Sequence, residues 1–131
     1  MARDEQFLQL AIDAAFRSKS KFRLGAVLVK KNRVLSFGVN NMKKTHPACA
    51  RPGVRPEFST GLHAEVDATV GVSKGDLERS KLYVARILKN GKPAMAKPCE
   101  GCTRHLRELG IREVIYTVSG DLSERYNFLS S

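Results

Sequence analysis

"PCEGCTRHLRELGIREVIYTV", residues 98–118, runs a helix into a strand. Pro98 suits the first helical position, where its missing N–H would have no partner anyway, and Gly110 suits the position just past the helix end, where the chain turns left-handed. Between them "CEGCTRHLREL" (99–109) reads as one helix, and "IREVIYTV" (111–118), rich in branched and aromatic residues, as a strand. Cys99 and Cys102 stand three apart, so both thiols lie on one side of the helix's first turn. Exposed N–H groups and the positive end of the helix dipole favour their thiolate forms there.

Upstream the same alternation continues. "DEQFLQLAIDAAFRSKS" (4–20) spaces Phe7, Leu10, Ala11, Ala14 and Ala15 as one helical face, with Asp4 as its expected N-cap. "LGAVLVKKNRVLSFGVN" (24–40) is two apolar runs about "KKNR", the pattern of a hairpin of buried strands. Residues 41–61 hold three of the five prolines and show no period, so a long functional loop is expected there. "HAEVDATVGV" (63–72) reads as a helix with Ser59 and Thr60 as caps, "KLYVARIL" (81–88) as a strand, and "SERYNFL" (123–129) as a last strand. The order of helix, hairpin, helix, strand, helix, strand describes an α/β domain with a mixed sheet.

A chain of 131 residues is sized for one domain, 1–131, and no repeat or linker divides it. Its 42% apolar and 27% charged residues are those of a globular protein. No apolar run approaches the roughly 20 residues that span a bilayer, and the first residues lack the apolar centre of a signal peptide. Three cysteines, two of them closely spaced, point to metal or redox chemistry in place of a stapled secreted fold, so the expected compartment is the cytoplasm. The net charge of +10 favours an anionic partner, such as a phosphorylated compound or a nucleic acid.

Two thiolates and one imidazole balance zinc and leave a fourth position for water. His63 opens its own helix, where its ring can leave the helix end toward a metal. Glu65, in the same first turn, can approach the same site and do general acid/base work. A CxxC pair alone also fits a redox centre or a structural zinc site, the latter with Cys49, His46 or His105 as fourth ligand. A redox pair makes no use of His63 or Glu65, and a structural site no use of an uncoordinated carboxylate.

The pattern H-x-E followed by P-C-x-x-C resembles the signature of the zinc-dependent cytidine/deoxycytidylate deaminase-like superfamily, and the likeness runs from about residue 4 to 118 through the hairpin, "LYVARI" and "GIREVIYTV". The resemblance implies a three-layer α/β/α domain with a central mixed sheet of about five strands. It implies that His63, Cys99 and Cys102 bind Zn2+, and that water replaces the amine of a cytosine ring while Glu65 carries the protons. Asn40 matches a position that contacts sugar and base, and the N–H of Ala64 one that contacts the base. Arg51, Arg55 and Lys97 are candidates for holding a phosphate or a polynucleotide backbone.

On this reading the substrate is a cytosine nucleotide, either free and deoxycytidylate-like or within single-stranded DNA or RNA, and the protein is a homo-oligomer off the membrane. Adenosine deamination in tRNA is the enzymatic alternative, although "KPC" here departs from the "EPC" of bacterial tRNA adenosine deaminases. A catalytically silent zinc module binding nucleic acid is the alternative of another class. Two further departures stand out. "RILKNGKPAMAK" (86–97) is longer than the usual passage from strand to Pro-Cys, so a bulge or ribbon is expected. Little follows residue 118, which suits a short antiparallel return. Phe7, Phe16, Phe22 and Phe37 are expected in the core, leaving Phe58, Tyr126 and Phe128 as the aromatics that could stack on bases.

Overall fold

The computed structural model describes residues 3–18, 23–40, 64–97, 100–119 and 122–127. Helix α1 (Arg3–Ala15) leads to a hairpin of β1 (Arg23–Lys30) and β2 (Arg33–Val39). Lys31 and Asn32 turn it with φ of 51° and 62°, the two positive values of the turn that matches strand twist. Two short helices, α2 (Ala64–Asp67) and α3 (Lys74–Leu77), precede β3 (Lys81–Ile87). A two-residue strand β4 (Pro93–Ala94), helix α4 (Glu100–Glu108), β5 (Glu113–Ser119) and β6 (Leu122–Asn127) complete the order.

Across the sheet the strands run β2-β1-β3-β5-β6, with β3 and β5 parallel and the other neighbours antiparallel. The parallel pair is the one joined through α4, because parallel strands need a crossover. Alternation along the central strands then sorts side chains to two faces. Val27, Val29, Tyr83, Ala85 and Ile115 pack with Ala11 and Phe7 of α1. Ala26, Leu28, Leu82, Val84, Val114 and Tyr116 pack with Ala64, Ala68, Leu77 and Leu106 from α2, its following turn, α3 and α4. Helices therefore cover both faces, and the expected α/β/α layering with a mixed sheet is what the chain forms. β6 is the antiparallel return.

α4 ends as its sequence demands. Gly110, at φ 85°, donates its N–H to Arg107 O, and Ile111 N–H reaches back to Leu106 O at 3.3 Å. These two bonds satisfy carbonyls that the helix end leaves open, and Leu106 and Ile111 meet in the same core. The long passage after β3 is a ribbon. Leu88 and Lys92 close it with a 2.9 Å N–H···O bond, and β4 pairs back on β3 with Arg86 opposite Ala94. Thr117 Oγ1 fills the gap where β5 leaves β3, accepting from Arg86 N–H and donating to Ala94 O. β4 is the strand beyond the expected five.

Several local expectations are corrected. The helix expected over 63–72 stops at Asp67, passes through turns to Gly71 at φ 82°, and is followed by α3, which Ser73 caps through Asp76 N–H at 3.3 Å. β2 lies at the sheet edge, so it is only partly buried and Phe37 is 47% exposed. Phe16, past the end of α1, is 50% exposed, so neither phenylalanine belongs to the core. Phe22, Phe58 and Phe128 lie outside the described residues. Asp4 is within α1 and caps nothing there. Its carboxylate accepts from Tyr83 Oη and pairs with Arg125, whose guanidinium also meets buried Glu113, as does Lys81 Nζ at 3.3 Å.

This cluster ties α1 to the edge strand β6. Partial burial alone would raise the Asp4 carboxyl, but the Tyr83 hydrogen bond and the Arg125 charge outweigh it and hold the pKa below the usual value. A depressed carboxyl stabilises the fold fully above its unfolded pKa of about 4 and loses that contribution as pH falls through the folded value. Asp4→Asn is therefore expected to cost on the order of 1 kcal/mol at neutral pH, with the difference from wild type shrinking as denaturation is repeated toward pH 3. A difference independent of pH would show that the charge is not what matters.

Candidate active site

The ends of the strands that meet at Leu24, Asn40 and Ile87 lie together, because β1 is antiparallel to both β2 and β3. Asn40, directly after β2, is buried and held by its neighbours. Its Oδ1 accepts from Leu24 N–H at 3.0 Å and from Ser18 Oγ at 2.6 Å, while its own N–H donates to Leu24 O. With Oδ1 engaged toward the protein by two donors, the orientation of the side-chain amide is set. Ser18→Ala is expected to lower stability by about 1 kcal/mol, seen as a lower denaturation midpoint with an unchanged slope.

α2 is seated on β2 by three features. A Cβ at Gly38 would lie 2.3 Å from Ala64 O and 2.5 Å from Ala68 N, so only glycine admits the helix backbone so close. Val39 N–H donates to Asp67 Oδ2 at 3.0 Å, and Ser36 Oγ donates to Ala68 O. The consequence falls on the first turn. Ala64 is fully buried, and as first residue of α2 its N–H has no intrahelical acceptor. Glu65 follows, 4% exposed, and a carboxylate so buried is costly without partners. Among the described residues no buried side-chain nitrogen or oxygen lacks one.

α4 touches α2 on the same face of the sheet. Cys102, in its first turn, is fully buried. Lys97, between β4 and α4, is exposed, and Ala96 beside it is anchored by its N–H to Thr117 O at 2.9 Å. Ala64, Glu65 and the helix of Cys102 are thus gathered on one face of the sheet, and Asn40 follows the strand on which α2 is seated. His63, Cys99, Arg51 and Arg55 lie outside the described residues.

Among the described residues no three histidine, cysteine, aspartate or glutamate side chains form a metal-holding group. Of the three expected ligands Cys102 is the one described, and a cysteine sulfur is a donor that suits zinc. Cys102 is buried in the first turn of α4, and the buried carboxylate of Glu65 stands on the neighbouring helix. Sequence reading missed Ser18, Ser36 and Asp67, which hold Asn40 and α2. Their partners are 22, 32 and 28 residues away, so no local spacing marks them.

The family model described as "Cytidine and deoxycytidylate deaminase zinc-binding region" matches residues 1–118. A deoxycytidylate deaminase from Schizosaccharomyces pombe is 31% identical over 122 residues, covering 88% of this chain and 37% of that protein. One from Homo sapiens is 26% identical over 132 residues, covering 94% of this chain and 66% of its own length. The chain therefore spans about a third of the first relative and just under two thirds of the second. The crystal structure of a cytidine deaminase from Burkholderia pseudomallei has the same fold, with a TM-score of 0.63 over 95% of this chain and 92% of that one at 19% identity. With the match running through the Asn40 corner and both site helices, the chain belongs to the cytidine and deoxycytidylate deaminase family.

Proposed function

We propose that this chain is a single hydrolase domain, residues 1–131, that removes the exocyclic amine of cytosine in a nucleotide, with deoxycytidylate as the substrate that its relatives' names suggest. The observation that carries the reading is buried Glu65 in the first turn of α2, held against β2 and beside the helix of buried Cys102. His63, Cys99 and Cys102 are the residues that would hold zinc. Bound zinc supplies the Lewis acidity that makes water a competent nucleophile near neutral pH.

Glu65 then has a defined task. It takes one proton from the attacking water and gives it to the ring nitrogen, then takes the second from the hydroxyl now on the ring carbon and gives it to the departing amine, so that cytosine and water become uracil and ammonia. A carboxylate can do both because it is first an acceptor and, once protonated, a donor. The Asn40 side chain and the Ala64 N–H orient the base and sugar. Lys97, which is exposed, neutralises the 5′-phosphate together with Arg51 and Arg55.

A substrate panel tests this reading. Zinc-loaded protein is given cytidine, deoxycytidine, their monophosphates and tRNA, and products are identified by mass spectrometry. Turnover of the monophosphates, with deoxycytidylate used best, is the expected result. Adenosine-to-inosine conversion in tRNA without any cytosine turnover would replace this reading with its alternative.

A further inference from the structure

We infer that the end of α1, the start of β1 and the β3–β4 ribbon together form a binding strip for single-stranded nucleic acid, leading to the Asn40 corner. Residues 86–97 contain Arg86, Lys89, Lys92 and Lys97 and no carboxylate. Lys89, Lys92 and Lys97 are exposed, as is Arg17 after α1. None of these four pairs with a carboxylate among the described residues; the ion pairs of Lys81, Glu113, Arg125 and Asp4 stand at the opposite end of the sheet.

Arg23 joins the two parts. Opposite Ile87 in the ladder, it donates from Nη2 to Leu88 O at 3.2 Å, and its guanidinium carbon is 5.8 Å from the centroid of the Phe16 ring. The ring also abuts the ribbon turn, since a Cβ at Gly91 would lie 3.6 Å from Phe16 Cζ. Half of Phe16 nevertheless remains open, with Leu88 at 40% and Met95 at 47% exposure on the ribbon. An open ring backed by a guanidinium and flanked by uncompensated cations is what unpaired bases and their phosphates require. Because the cations are spread over α1's end and the ribbon, they suit a run of phosphates better than one. An exposed ring suits single strands, whose bases are free to stack, better than a duplex.

The strip is continuous with the candidate site. Ser18, two residues after Phe16, bonds Asn40, and so does the N–H of Leu24, next to Arg23. The inference goes beyond the deamination reading and does not depend on it.

Fluorescence anisotropy with a labelled oligothymidylate tests it, because that probe carries no cytosine and binding is read without turnover. The combined variant Arg17→Glu, Lys89→Glu, Lys92→Glu is compared with Lys31→Glu, Arg33→Glu, Lys74→Glu, an equal charge change on exposed residues at the far end of the sheet. The strip variant is expected to bind at least about tenfold more weakly and to flatten the slope of log affinity against log salt by about 2, with the far-end variant close to wild type. Phe16→Ala, which leaves charge unchanged, is expected to weaken binding several-fold. Equal losses in both charge variants would reduce the effect to net charge and overturn the inference. So would undetectable binding by wild type, or displacement of the probe by free deoxycytidylate at the same phosphate concentration. Melting curves confirm that each variant is folded.

Discussion

Glu65→Gln is expected to lower kcat for deoxycytidylate by about 10²–10⁴-fold while leaving the fold and the zinc content intact. The substitution keeps the shape of a side chain that is 4% exposed, so packing in the first turn of α2 changes little. What it removes is the ability to take up a proton and release it again, since an amide does neither near neutral pH. Ammonia release gives kcat, and metal analysis with a melting curve gives the controls. A loss confined to KM would make Glu65 a binding residue, and a kcat within a few-fold of wild type would remove it from the chemistry.

Gly38→Ala is expected to be the most damaging single-methyl change on the sheet's site face. Its Cβ would come within 2.3 Å of Ala64 O and 2.5 Å of Ala68 N, and backbone atoms in a seated helix cannot swing aside as a flexible side chain can. Overpacking of this kind costs about 1–3 kcal/mol. The displaced element is α2, which carries Ala64 and Glu65, so activity should fall further than the loss of stability explains; a shift of an ångström in a reacting group costs on the order of a hundredfold. Gly75→Ala is the matched control. Nothing lies within 4 Å of a Cβ there and its φ is not positive, so that change should be neutral or stabilising by about 0.4–1 kcal/mol. Urea denaturation and kcat/KM on both variants decide the matter, and a Gly38→Ala protein of wild-type stability would show that α2 is not seated through this contact.

The elements read correctly from sequence are those whose signals are local. The hairpin about Lys31 and Asn32, the strands β3 and β5, and the end of α4 at Gly110 each rest on a run, a turn or a cap contained in a few residues. So does the likeness that assigned the family, because helix-opening motifs keep their spacing. What was misread depends on distant partners. Asp4 looks like a cap until Arg125 and Tyr83 arrive from strands across the sheet. Phe16 and Phe37 look like core because apolarity is visible in a sequence while position at a helix end or a sheet edge is not. The helix expected over 63–72 gives way after Asp67 to turns that end at Gly71 with its positive φ, and α3 depends on a single serine cap that the apolar pattern does not reveal. Within the candidate site, Asn40 and Glu65 are proposed from sequence motifs, whereas Ser18, which bonds Asn40, and Asp67, which ties α2 to β2, carry no local signal.

The most direct test of the central claim is to incubate the zinc-loaded chain with deoxycytidylate in heavy-oxygen water and to analyse both products. Hydrolytic deamination predicts ammonia and deoxyuridylate in equal amounts, with the heavy oxygen at the ring carbon that had carried the amine. A folded, zinc-loaded protein that yields no deoxyuridylate, or yields it without the label, would contradict the account.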